Sequence, residues 1–153
     1  QAPAAAPSGV LWTSEAEATM EPGKPPERSK GTERVRSLGE LWILGEGRGE
    51  MPGGGEVTML LMLGYDPQRK RFVGTWVGSM MTHLWIYDGT LDASGPVLTL
   101  DNEGPSMTAP ETAMGKCRDV IEFFGDDHRT LTSHVLEDNG TWRKFMTAHY
   151  RRK

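Results

Sequence analysis

Four histidines, at positions 83, 128, 134 and 149, and the lone Cys117 are the side chains of this 153-residue chain best suited to proton transfer or metal binding. His83 stands in THLWIY, close in sequence to Trp76, Trp85 and Tyr87. A neutral imidazole among aromatic rings can contact a ligand, ligate a metal or haem iron, or act as a general acid/base; a histidine that only satisfies its neighbours is the plain alternative. His134 and His149 flank an Asp138-Asn139-Gly140 turn. Pairing across Asn139-Gly140 sets His134 opposite Phe145 and His149 opposite Thr130, so the two imidazoles stand about 13 Å apart at ~3.3 Å per residue. They cannot share one metal. With no HxH or HExxH spacing, no zinc is expected.

Cys117 has no second cysteine for a disulfide or a thiolate zinc site and no evident histidine partner, so it reads as an inert buried thiol. Asp126-Asp127 sits in GDDH and reads as turn chemistry. Asp119 and Glu122 fall on opposite faces of a strand and form no dyad with each other. No serine lies in G-x-S-x-G. Gly45, Gly47 and Gly49 alternate with period two and run into MPGGG rather than a helix, so no nucleotide is expected. Glycines with that period remove the side chains from one face of a strand, which suits curvature or space for a ligand.

The elements that must position these residues are short strands. Nineteen Gly and ten Pro in 153 residues exclude a helical bundle, and the length supports one domain rather than two. Residues 1–10 read as a flexible Ala/Pro-rich leader and residues 11–153 as the domain. If the leader follows a cleaved signal peptide the protein is exported; otherwise the cytoplasm is expected. No apolar run reaches the ~18 residues of a membrane-spanning helix. The formal charge of −4 argues against nucleic acid or an anionic membrane as a partner.

From Leu11 onward about ten runs of strand character recur, each bounded by Gly, Pro, Asp or Asn. No segment carries helical periodicity. A meander of this length closes to remove its edges, so the expected fold is all-β: a single antiparallel up-and-down β-barrel of about ten strands, with little or no helix. A two-sheet sandwich is the alternative.

Taking Asp66–Arg69 as a four-residue loop pairs Leu63 with Phe72 and Met59 with Trp76. Taking GSMM as the next sets Trp76 opposite His83 and Phe72 opposite Tyr87. One surface then gathers Met59, Phe72, Trp76, His83, Trp85 and Tyr87 with Leu61 and Leu63, and Gly74 and Gly78 leave room beside the rings. This surface is the expected barrel interior and ligand site. The other surface, with Val73, Thr75, Val77, Leu84 and Ile86, is too apolar for open solvent, which points to a homodimer through the outer face of the central strands.

The stretches GTERVRSLGELWILGEGRGEMPGG, LGYDPQRKRFVGTWVGSMMTHLWIYDGTLD, LTLDNEGPS, RDVIEF and FMTAHYRR resemble the bacterial domain-of-unknown-function family numbered 1579. The resemblance implies a calycin-like barrel, related in architecture to lipocalins, fatty-acid-binding proteins and nitrobindins, and carries no established activity. In calycins a first-strand Trp often packs under an Arg of the last strand, which here implies Trp12 with Arg151 or Arg152. The expected function is binding of a small apolar or aromatic molecule in a Trp/Met/His-lined cavity. The alternatives are an isomerase-, cyclase- or hydrolase-type enzyme with His83 as acid/base, helped by Tyr87 or Thr75, and a nitrobindin-like haem protein with His83 or His134 as axial ligand.

Overall fold

A computed structural model describes residues 9–51 and 54–153, and every regular element among them is a strand. The expected leader lies almost wholly outside the described residues, as do Pro52 and Gly53 of the MPGGG turn. The strands are β1 (Val10–Ala18), β2 (Glu27–Leu38), β3 (Trp42–Glu50), β4 (Glu56–Asp66), β5 (Arg71–Gly78), β6 (Trp85–Leu91), β7 (Val97–Pro105), β8 (Met114–Phe123), β9 (His128–Leu136) and β10 (Trp142–Arg152). Each pairs antiparallel with its sequence neighbours, and β1 pairs with β10 from Trp12↔Arg152 to Ala18↔Met146, which closes the barrel. Closure satisfies the backbone donors and acceptors that two free edges would leave exposed.

Turn chemistry sets the registers, and two of them differ from expectation. The Asp66 carboxylate accepts hydrogen bonds from the backbone N–H groups of Gln68 (3.0 Å) and Arg69 (3.3 Å), and Lys70 takes a positive φ of 55°. Asp66 thereby stays in β4, paired with Arg71, and the loop is Pro67–Lys70 rather than Asp66–Arg69. The pairs become Leu63↔Gly74, Leu61↔Trp76 and Met59↔Gly78. At the end of β5, Thr58 N–H donates to Ser79 Oγ (3.0 Å) and Ser79 N–H donates to the Thr58 carbonyl (2.9 Å), so this segment stays zipped to β4 while the chain leaves β6. The connection is Ser79–Leu84 rather than GSMM, Trp76 pairs with Trp85 and Gly74 with Tyr87, and His83 is a loop residue, not a strand residue. Both corrections move the pairing by two, which returns every side chain of β4, β5 and β6 to the face expected for it. In the last hairpin His149 does oppose Thr130, but a bulge at Phe145 sets His134 opposite Lys144.

The buried cluster of Leu63, Tyr87, Leu98, Leu100 and Ile121, with Leu61, Phe72, Trp76 and Leu131 against it, identifies the inner face. Followed through the registers, that face continues through Trp12, Ser14 and Ala16 of β1, Ser29, Gly31 and Glu33 of β2, and Gly45, Gly47 and Gly49 of β3. The period-two glycines therefore all face inward. Gly74 lies inside too, where a Cβ would run into the Met62 carbonyl oxygen, a backbone atom that cannot swing away. Gly95, in the β6–β7 turn, has open space around it and no positive φ. Gly74→Ala is expected to cost about 2–3 kcal/mol in urea denaturation, against a few tenths for Gly95→Ala; equal, small effects would show that β4 and β5 are not in such close contact.

Candidate functional site

The barrel brings Met59, Phe72, Trp76, Trp85 and Tyr87 to its inner face, at different depths. Met59 lies between Gly47 and Gly78 on neighbouring strands, and the Trp85 ring passes over Gly104. Trp76 reaches over Gly78 beside the Met80 thioether. The Ser79–Leu84 loop frames this end of the barrel. Trp85 Nε1–H donates to the Met81 sulfur at 3.0 Å, and the His83 ring meets Trp85 edge-on at 4.7 Å between centroids. Because a carbonyl can only accept, the 2.8 Å contact from His83 Nε2 to the Glu103 carbonyl makes Nε2 the protonated nitrogen. Phe72 lies at the opposite end of β5 and, like Trp76, packs against the apolar cluster that contains Tyr87.

Between these ends lies a polar layer that sequence patterning missed. Tyr87 is buried and donates its hydroxyl hydrogen to Asp119 Oδ2 at 2.7 Å, two strands away across β7. Burial pushes the Asp119 carboxyl above the usual carboxylate range, an effect opposed by hydrogen bonds from Tyr87 and Ser133 and by the charge of His134. Burial, with Asp119 adjacent, holds the Tyr87 hydroxyl protonated and pushes the Cys117 thiol up to about 11, so Cys117 is a thiol rather than a thiolate at neutral pH.

Farther round the barrel Arg129 donates to Glu33 in an ion pair whose side chains are only 13% and 12% exposed. The Arg129 guanidinium carbon lies 4.5 Å from the Trp12 ring centre and 4.2 Å from that of Tyr150, so two rings lie against it. Burial raises Glu33, and Arg129 opposes the rise by its charge and its hydrogen bond. The arginine on Trp12 thus comes from β9. Arg152 is only the backbone partner of Trp12 in β10 and is exposed, and the closure expected from Arg151 or Arg152 is corrected accordingly. Alternation could have found this pair: with Thr130 and Thr132 outward, Arg129 must point inward.

The remaining imidazoles face outward. His134 Nδ1 lies 3.3 Å from the Arg118 carbonyl, and His128 and His149 stack with facing ring nitrogens 3.1 Å apart. An axial haem ligand needs a ring nitrogen free and aimed into the cavity. His134 is on the outer face, and His83 commits Nε2 to Glu103, which leaves Nδ1 as the His83 nitrogen with a free lone pair. Among the described residues no three His, Cys, Asp or Glu side chains group as a metal site would require.

The chain matches the model of the family described as "Protein of unknown function (DUF1579)" over residues 10–152. It belongs to that family. No curated protein matches this family member. Among solved structures it is similar to the crystal structure of Rv2717c from M. tuberculosis, at 14% identity with a TM-score of 0.64, covering 95% of this chain and 92% of that one. At that identity the likeness speaks to the fold: a closed barrel in a family without an assigned activity.

Removing Arg129 tests the polar layer directly. Arg129→Met strands the Glu33 carboxylate and is expected to cost about 3–5 kcal/mol in chemical denaturation, while adding Glu33→Gln recovers part of the loss. If the double variant is no more stable than Arg129→Met, the cost arises from the ring contacts alone.

Proposed function

We propose that this barrel binds a small apolar or aromatic molecule, admitted at the end framed by the Ser79–Leu84 loop. The observation that carries the reading is the exposure of inward-facing residues. Met59, Leu61, Trp76 and Trp85, with Ser14, Ala16, Ser29 and Gly31, remain partly open to solvent although a closed sheet surrounds them, and among the described residues Leu100 is the only large side chain below 2%. Barrel diameter grows with strand number, and eight strands already enclose either a packed core or one small ligand. Ten strands whose β1–β3 wall carries only Gly, Ala and Ser over much of its length leave more room. Indole and thioether groups on β4–β6 supply the apolar surface a ligand would replace water against. His83 serves here as a rim residue that holds the loop to β7.

Gly47 tests this reading because a Cβ there would meet chiefly the mobile end of Met59, at 3.1 Å. Gly47→Leu is expected to fill the void and weaken binding of 2-(1-naphthyl)ethanol at least tenfold by calorimetry, with the melting temperature maintained. Unchanged affinity would place the site elsewhere. Native mass spectrometry of freshly expressed protein, followed by denaturation, identifies any molecule that co-purifies.

The outer face supports the expectation of a second copy of the chain. Leu60, Val77 and Ile86 are 43%, 38% and 63% exposed, and Met62 and Thr75 continue the row between Leu44 and Ile86. A groove of about 780 Å³ lies beside it, lined by Leu11, Arg34, Glu46, Leu60 and Val77 among others. Sedimentation at micromolar concentration is expected to give a dimer that Leu60→Asp with Ile86→Asp converts to monomer. A monomeric native protein would overturn the dimer.

A further inference from the structure

We propose that the cavity selects a ligand whose polar end is an amine, carried on an aromatic or alkyl body, and that Asp119 receives that end. The proposal rests on the cavity reading above and adds the chemical class of what the cavity takes.

Away from the rims, the charged side chains on the inner face are Glu33, Asp119 and Arg129. Arg129 is committed: Glu33 accepts its hydrogen bond, and the Trp12 and Tyr150 rings lie against its guanidinium. A carboxylate ligand would have to displace Glu33 to reach it, exchanging one buried ion pair for another and leaving Glu33 charged and unpartnered. Asp119 is in the opposite position. Its polar partners are the hydroxyls of Tyr87 and Ser133, and the positive group acting on it is His134, which lies on the outside of the barrel. A carboxyl without an interior cation is held protonated or costs free energy when ionised; an ammonium beside it supplies the missing charge and offers several N–H donors to a carboxylate already pointed inward.

The route to Asp119 suits such a molecule. Tyr87 follows Trp85 on the same face of β6, so the indole-lined end leads to the Tyr87–Asp119 bond with no change of wall. Aromatic faces attract a cation along that path. Tyr150 adds a second polar contact. It stands on the inner face, paired with Ser14 of β1 and Arg129 of β9.

The test is calorimetric titration of the full chain with three probes of matched body: 2-(1-naphthyl)ethylamine, 2-(1-naphthyl)ethanol and 1-naphthaleneacetate, at neutral pH. The expected order is amine, alcohol, acid, with the amine at least tenfold tighter than the acid. Asp119→Asn keeps an oxygen for the Tyr87 hydroxyl and is expected to bring the amine to within about twofold of the alcohol measured on the same variant. Equal binding of the three probes, tightest binding of the acid, or an amine preference that survives Asp119→Asn overturns the proposal while the cavity stands. Failure of all three to bind overturns the cavity reading itself. If Asp119→Asn does not fold, the amine-to-acid ratio of the native protein decides.

Discussion

Pairing of the first strand with the last is the constraint on which the rest of the structure depends. β1 and β10 meet along most of their length, from Trp12↔Arg152 to Ala18↔Met146, and only that contact turns a ten-strand meander into a container. Without it the inner face would be one side of an open sheet, and Glu33, Arg129 and Asp119 would sit in water, where a lone carboxylate costs nothing. Closure excludes bulk solvent, lowers the local dielectric and makes each interior charge consequential. It also removes the two edges on which such a sheet would add a foreign strand.

Given closure, the interior gathers apolar and polar groups side by side. Leucines, Ile121 and Phe72 pack with Tyr87 and Trp76 in one apolar cluster; Tyr87 also bonds Asp119, and Glu33 pairs with Arg129 beside the Trp12 and Tyr150 rings; Met59, Trp76 and Trp85 reach the end below the Ser79–Leu84 loop. Apolar packing and the buried polar contacts together fix the barrel's shape. The missing side chains at Gly45, Gly47 and Gly49 on the β3 inner face belong to the same arrangement. Gly45, Gly47 and Gly49 let Glu33 and Met59 extend sideways over bare backbone, with the Glu33 carboxylate close to Gly45 and the Met59 methyl close to Gly47.

Much of this was legible in the residues. Turn residues and alternation yield the ten strands, and parity assigns Met59, Phe72, Trp76, Trp85 and Tyr87 to a common face even though two hairpin loops are misplaced. Parity survives because both errors move the pairing by an even number of positions. His83 was misplaced for a different reason. A strand's end depends on which neighbour keeps hold of it, and the Thr58–Ser79 hydrogen bonds that extend β5 along β4 link segments whose pairing no local pattern encodes. The Phe145 bulge was likewise invisible, because one extra residue in a strand leaves the hairpin turn unchanged.

The sequence by itself determined which residues alternate inward within each hairpin, since that follows from the period of two in a pleated strand. It could not determine which inward residues meet across the barrel. The Tyr87–Asp119 bond skips a strand, and the Arg129–Glu33 pair joins residues almost a hundred positions apart. Both depend on the angle and stagger at which the sheet closes, a property of all ten strands together, and that is why the polar layer came into view only with the tertiary structure.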